Sequence, residues 1–284
     1  MARTPTGESV LARAIRVLDA FTADEPSLTV GEVARRSGLH VATASRLVGE
    51  LTAHGLLERT ADRRVRVGVR LWELGARASP TLGLREAAMP FLEDVHAVVG
   101  HHVQLGVLDG ADVLFLERLT ARDAVINFSR IAGRLPLATS SSGVVLLAHA
   151  PHELQEQVLA APLRPVTPAG FGSPAQLRAA LAEVRRGHAA VLEGHQHPDA
   201  TGVAVPVRDG DGRVVASLSV IVPNDGRGAA LVPLLLATAL GITRVLRRPA
   251  GGGTRTEGGP SGDGPPPGQA GVTRRPRPCR SPCR

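Results

Sequence analysis

Apolar positions along this chain follow two rhythms, and the change between them divides it. From Ser9 to Ala23, Val10, Ala14, Val17, Leu18 and Phe21 recur three and four apart, which predicts a helix with one buried face. Asp24-Glu25-Pro26 ends it, because proline disfavours helix in the residue before it. Thr29–Ala53 predicts two short helices about a turn at Ser37-Gly38-Leu39. Thr29 and Glu32 have the spacing of a capping box, and Gly38 can take the left-handed conformation that closes a helix. Val30, Val33 and Ala34 give the first helix an apolar edge. Val41, Leu47, Val48 and Leu51 predict the buried face of the second, with His40, Thr43, Ser45 and Arg46 opposite. Leu56–Thr60 and Arg64–Gly68 then read as a hairpin turning at Ala61-Asp62-Arg63. Val69–Ala78 reads as a helix that places Trp72 in the core. Leu82–Val99 follows as a helix kinked at Pro90, with Leu84, Ala88, Phe91, Leu92 and Val95 as a candidate dimer seam.

From His102 the period falls to two. His102–Leu108 and Asp112–Leu119 flank an Asp-Gly turn and predict a hairpin, with Ala124–Arg130 as a third strand. Helices are expected over Val144–Ala150, Pro151–Ala160, Ser173–Arg186 (stopped by Gly187) and Ala229–Arg247. Strands are expected over Val203–Arg208 and Arg213–Val222. Antiparallel strands with helices between the hairpins predict an α+β domain around one sheet. The expected organisation is residues 1–79, a connecting helix over 80–100, a second domain over 101–248, and a disordered basic tail over 249–284 in which Gly, Pro and Arg leave too little apolar surface for a core.

Charge adds a function to the first block. The net charge of +7 divides as +3 over residues 1–79, zero over 80–248 and +4 over 249–284, and there is no lysine. Three helices followed by a hairpin bearing Arg59, Arg63, Arg64 and Arg66 make a winged helix-turn-helix, and a basic module joined to a neutral one fits a DNA reader joined to a partner domain. In such a reader, Arg46 would contact base or phosphate. His40, Thr43 and Ser45 share its face, and the wing arginines would add salt-dependent phosphate contacts. Alternative readings are a helical hairpin used only for packing and a wing whose charges only blunt an edge strand. With Gly228–Gly241 as the longest apolar run, no membrane span is expected and a cytoplasmic protein is. Cys279 and Cys283, both in the tail, provide no disulfide framework for the folded part.

Enzymatic chemistry finds little support. There is no G-x-S-x-G elbow for a serine nucleophile. His195-Gln196-His197 lacks the ligand number of a zinc site, so no metal and no cofactor are expected. Ser140-Ser141-Ser142-Gly143 at a helix start would suit a carboxylate, or would serve as a plain N-cap. Glu193 would bond a ligand or brace the pocket around it.

Taken together, Ala14–Leu18, Leu28–Ala34, Ser37–Val48, Leu51–Leu56, Gly133–Leu137, Ser142-Gly143, Leu146–Ala148, Arg186–Ala189, Glu193, Val203–Asp209 and Gly212–Val220 resemble, in order and spacing, the IclR family of bacterial transcriptional regulators. The resemblance covers Ser9–Arg247. It implies a winged-helix reader joined by a helix to a GAF-like effector domain, acting as a homodimer or dimer of dimers on a palindromic operator and answering to a small organic acid or aromatic metabolite. It also implies a pocket at Ser140, Ser141, Ser142, Gly143, Glu193, Gly202 and Ser219. The chain departs from the family pattern at Val144, where lysine is common, at Gly202, where cysteine is common, and at Ala44, where tyrosine is common. The alternative is a metabolite-binding protein or enzyme whose winged helix packs subunits. A third reading is a structural DNA binder that uses the basic tail.

Overall fold

The computed structural model describes residues 8–22, 25–78 and 80–247; the expected tail, with both cysteines, and the N-terminal arm before Glu8 lie outside them. The N-terminal part runs α1 (Val10–Asp19), β1 (Ser27–Leu28), α2 (Val30–Ser37), α3 (Val41–Ala53), β2 (Leu57–Arg59), β3 (Val65–Val67) and α4 (Val69–Ala78). The capping box forms as predicted: Thr29 Oγ1 accepts the Glu32 N–H at 3.2 Å, while Glu32 accepts the Thr29 N–H at 2.7 Å. Gly38 stops α2 at φ +63°. Val17, Leu28, Val33, Leu47, Val48, Leu57 and Val65 close one small core, where each fully buried Leu or Val contributes about 1.5–3 kcal/mol. The sheet beneath it has the order β1-β3-β2 and is antiparallel. β1 escaped the sequence pattern because two residues carry no period.

Two expectations fail here. Val41 is exposed, and Ala44 takes its place in the buried face of α3. Trp72 does not enter a core: it is 72% exposed, on α4 near exposed Val69.

The second part runs α5 (Pro80–Val99), β4 (His102–Asp109), β5 (Asp112–Leu119), β6 (Arg134–Pro136), a 3-10 turn (Leu137–Thr139), α6 (Ser141–Ala148), α7 (His152–Ala160), α8 (Pro174–Gly187), β7 (Ala190–Glu193), β8 (Ala200–Arg208), β9 (Val214–Pro223), a second 3-10 turn (Gly228–Leu231) and α9 (Val232–Leu246). Six strands form an antiparallel sheet in the order β6-β5-β4-β9-β8-β7. Alternation sends Val103, Leu105, Val107, Val203, Val205, Leu218 and Val220 to one face, against α5 and α9. The other face, with Ala204 and Phe115, packs on α6 and α8.

The α5 positions expected to form a dimer seam are consumed here. Leu84, Ala88, Leu92 and Val95 are buried within the same chain, and Phe91 packs on α9 at Gly241, where a Cβ would come within 2.5 Å of its ring. Gly228–Leu246 forms a 19-residue helical stretch apolar and long enough to cross a bilayer, which the sequence reading had not expected. Its Leu235, Ala239 and Ile242 are buried against the sheet and α5, so a core position uses the same apolarity. α8 ends one residue later than expected, with His188 rather than Gly187 in the left-handed conformation at φ 55°.

Residues 124–130 form no strand. Their polar groups bond side chains instead: His102 Nε2–H donates to the Val125 carbonyl at 2.6 Å, and Arg118 donates to the Ser129 carbonyl. The place beside β5 goes to β6.

Candidate nucleic-acid interface and effector cavity

α3 presents Ala42, Ser45 and Arg46 to solvent, with Thr43 half-buried beside them. His40 caps the helix, its Nδ1 accepting the Ala42 N–H at 3.3 Å. Arg46 pairs with Glu50 one turn on, both side chains being about half exposed. An exposed pair of this kind is worth only about 0.3–0.5 kcal/mol, so exchanging Glu50 for a phosphate or base costs little. The wing arginines divide. Arg59 and Arg63 are exposed, their side chains without a partner among the described residues, and Arg63 sits at the hairpin tip with φ 61°. Arg66 pairs with Glu58 across the hairpin. Arg64 donates to the Ser27 carbonyl at 2.7 Å and to Glu32 at 3.2 Å, tying the wing to β1 and to the capping box.

The second site is a small cavity between the α6 face of the sheet and the 126–129 segment. Strand register builds its floor. Leu192, Gly202 and Ile221 lie side by side on β7, β8 and β9, and Ser219 faces Gln104 one rung away. These are the positions of the alternation that point away from α5 and α9. Ser140, N-cap of α6, accepts the Gly143 N–H at 3.1 Å. Ser142 donates to Ser219 at 2.8 Å, Ser219 contacts Gln104 at 3.4 Å, and Gln104 donates to Ser129 at 2.6 Å, so a buried polar chain crosses the floor.

Ser141 stands apart from that chain. It is 2% exposed, lines the cavity, and its Oγ has no hydrogen-bond partner. Asn127 Nδ2 is likewise buried and unpaired on the same lining. An orphaned buried donor costs about 1–3 kcal/mol, and here two belong to residues that line the same cavity. Gly202 makes room for Ser141: a Cβ there would lie 2.8 Å from Ser141 Oγ. Phe115, Ile126, Phe128, Leu135, Leu192 and Ile221 supply apolar walls. His195 lines the cavity edge. Burial holds its imidazole below the ordinary range, outweighing the Glu193 carbonyl contact that favours the charged form.

Comparison with known proteins gives this pair of sites a context. Residues 10–61 match the IclR helix-turn-helix domain, and residues 77–244 match the bacterial transcriptional regulator IclR C-terminal domain. The chain belongs to the IclR family. A crystal structure of an IclR homolog from Microbacterium hydrocarbonoxydans, complexed with 4-hydroxybenzoate, is 44% identical, covers 84% of this chain and 99% of its own, and superposes with a TM-score of 0.81. The HTH-type transcriptional regulator XynR of Escherichia coli (strain K12) is 29% identical over 84% of this chain and 97% of its own length. BhcR of Paracoccus denitrificans (strain Pd 1222), another HTH-type transcriptional regulator, is 30% identical over 82% and 85%.

Of the IclR-type pocket positions read from sequence, Ser140, Ser141, Ser142 and Gly202 line the cavity. Ser219 lies behind Ser142 as its hydrogen-bond partner. Gly143 is packed on the Leu137 carbonyl, where a Cβ would come within 2.2 Å, and does not line the space. Glu193 is exposed and outside the lining; only its carbonyl serves the site, through His195. Gln104, Phe115, Asn127, Phe128 and His195 were missed as pocket residues. The one usable signal was the polar phase of the alternation His102-x-Gln104-x-Gly106.

Proposed function

We propose that this protein is a transcriptional regulator of the IclR family whose binding to an operator is altered by an aromatic carboxylic acid held in the cavity at the start of α6. The observation that carries the reading is Ser141 Oγ, sealed in the cavity without a partner beside the first N–H groups of α6. A carboxylate would accept from the hydroxyl and from the helix start together, where the aligned peptide dipoles favour negative charge. The apolar lining fits a ring. The 4-hydroxybenzoate bound by the Microbacterium homolog supports the same ligand class.

In DNA binding, α3 enters the major groove with Arg46 foremost and with His40, Thr43 and Ser45 at its sides, while Arg59, Arg63 and Arg66 follow the backbone. Arg64 braces the wing. The reader comprises residues 1–79, the connection 80–100 and the effector domain 101–248; the protein acts in the cytoplasm, without catalytic turnover. It pairs as a homodimer through apolar side chains exposed on α1 (Val10, Leu11, Ile15) and α4 (Val69, Trp72). The test is fluorescence anisotropy with DNA from upstream of its own gene, with and without 4-hydroxybenzoate. Saturable, sequence-specific binding that shifts with the acid is expected. Binding that ignores both sequence and acid would refute the assignment.

A further inference from the structure

One group on the cavity wall has the opposite polarity from the anion cradle. His195 Nδ1 lies 3.2 Å from the Glu193 carbonyl. A carbonyl can only accept, so Nδ1 carries the proton and Nε2 holds a lone pair. No donor among the described residues reaches Nε2. That nitrogen is also not one of the sealed, unpaired atoms. His195 lines both the main cavity and a smaller one, lined also by Thr139, Arg164 and Phe171, so the residue stands where the two meet.

The ring is held from several sides. Phe171 packs edge-on at 4.9 Å. Thr167 Oγ1 donates to the Gly194 carbonyl at 2.6 Å, and Gln196 Nε2 donates to the Thr139 carbonyl at 2.9 Å. Gly194, at φ 70°, donates its N–H to the Ala200 carbonyl. Thr139, two residues before Ser141, lines the junction, and all three of Thr139, Ser141 and His195 line the main cavity. Burial keeps the imidazole neutral near pH 7, which preserves the lone pair.

Resting on the aromatic-acid reading above, we propose that His195 is a specificity-determining residue: Nε2 accepts a hydrogen bond from a hydroxyl on the ring, opposite the carboxylate held at Ser141. The preferred effector is therefore a hydroxylated aromatic acid, and the site discriminates against the same acid when the hydroxyl is missing or capped. An acceptor that the wrong ligand covers without bonding weakens that ligand's binding by roughly ten-fold or more.

The test is calorimetric titration of the full chain with 4-hydroxybenzoate, 4-methoxybenzoate and benzoate, at pH 7.5, for the unmutated protein and for His195→Phe, His195→Gln and Arg164→Ala. The unmutated protein should prefer the hydroxy acid over the other two by roughly ten-fold or more. His195→Phe keeps an aromatic ring against Phe171 and should bring the three acids together. His195→Gln offers an acceptor oxygen and should restore part of the preference. Arg164→Ala should leave benzoate affinity unchanged. Equal affinities for all three acids in the unmutated protein would overturn the role of His195 and leave the cradle reading standing, and they need no variant to fold. Loss of benzoate binding in Arg164→Ala would place the carboxylate at the other end and overturn the assignment. Failure of every acid to bind would remove the effector reading and this inference with it.

Discussion

Replacing Gly202 by alanine separates binding from folding at a single atom. Gly202 lies in β8 with extended backbone, so the peptide accepts a side chain. The new Cβ would meet Ser141 Oγ at 2.8 Å, Ser141 Cβ at 3.4 Å and Ile221 Cδ1 at 3.5 Å. Only the first contact is too close, and it involves the end of a side chain that can rotate away. Alanine also lowers the entropy of the unfolded chain, worth about 0.4–1 kcal/mol in favour of folding. The ligand-free protein should therefore stay within about 1 kcal/mol of its original stability. The ligand loses more. The methyl group drives the Ser141 hydroxyl from the cradle, and a hydrogen bond to a charged group is worth about 1.5–3 kcal/mol, or about ten- to a hundred-fold in Kd. In a denaturant titration at one hundred times the original Kd, 4-hydroxybenzoate should stabilise the parent by about 2.7 kcal/mol and the variant by about 1.4 kcal/mol or less. Unchanged affinity would refute the placing of the carboxylate at Ser141. A collapse of the ligand-free protein would refute the claim that the hydroxyl can move aside.

Other outcomes follow from the same geometry. Arg46→Ala should weaken operator binding and lower the slope of log affinity against log salt by about one if the contact is to phosphate, whereas Arg64→Ala should lower the thermal midpoint by freeing β1 and Glu32. Thr29→Ala removes the cap of α2 and should cost about 1 kcal/mol in chemical denaturation. His102, His149 and His195 are all held below the ordinary value of 6.5, first of all by burial. The unfolded chain takes up their protons first, so stability should hold above about pH 6.5 and decline as pH falls below it. Glu32, lowered chiefly by the Thr29 N–H, contributes stability above its ordinary 4.5 that is lost only in stronger acid, and urea midpoints across both windows would separate the two. Trp72→Asp with Leu11→Asp should shift the mass in light scattering toward the monomer while leaving the circular dichroism unchanged.

The reader was more legible in sequence than the cavity, for physical reasons. A capping box, a left-handed glycine and a charged hairpin are local devices, and Thr29, Gly38 and Arg59–Arg66 could be placed without knowing what packs on them. Trp72 failed because apolarity alone does not say that a side chain finds cover within its own chain. Leu84, Leu92 and Val95 failed the other way, since their cover is a sheet whose strands come later in the chain. The cavity depends on register: Gln104, Gly202 and Ser219 become neighbours only when β4, β9 and β8 align. Ser140–Ser142, which line the cavity, could be placed because a helix start is local. His195 rather than Glu193 lines the cavity because the turn after β7 decides which side chain faces inward.

The polar chain from Ser142 through Ser219 and Gln104 to Ser129 has a consequence for descent. Three of its members are hydroxyls, which give or take a proton by rotation, and the fourth is an amide that can turn over. The direction of the whole relay can reverse with no heavy atoms moving beyond the exchange of the Gln104 amide oxygen and nitrogen. A cavity floored this way can change the polarity it offers a guest without rebuilding the strands beneath. A lineage carrying it could adopt a new guest through substitutions at the walls and mouth alone, keeping the scaffold.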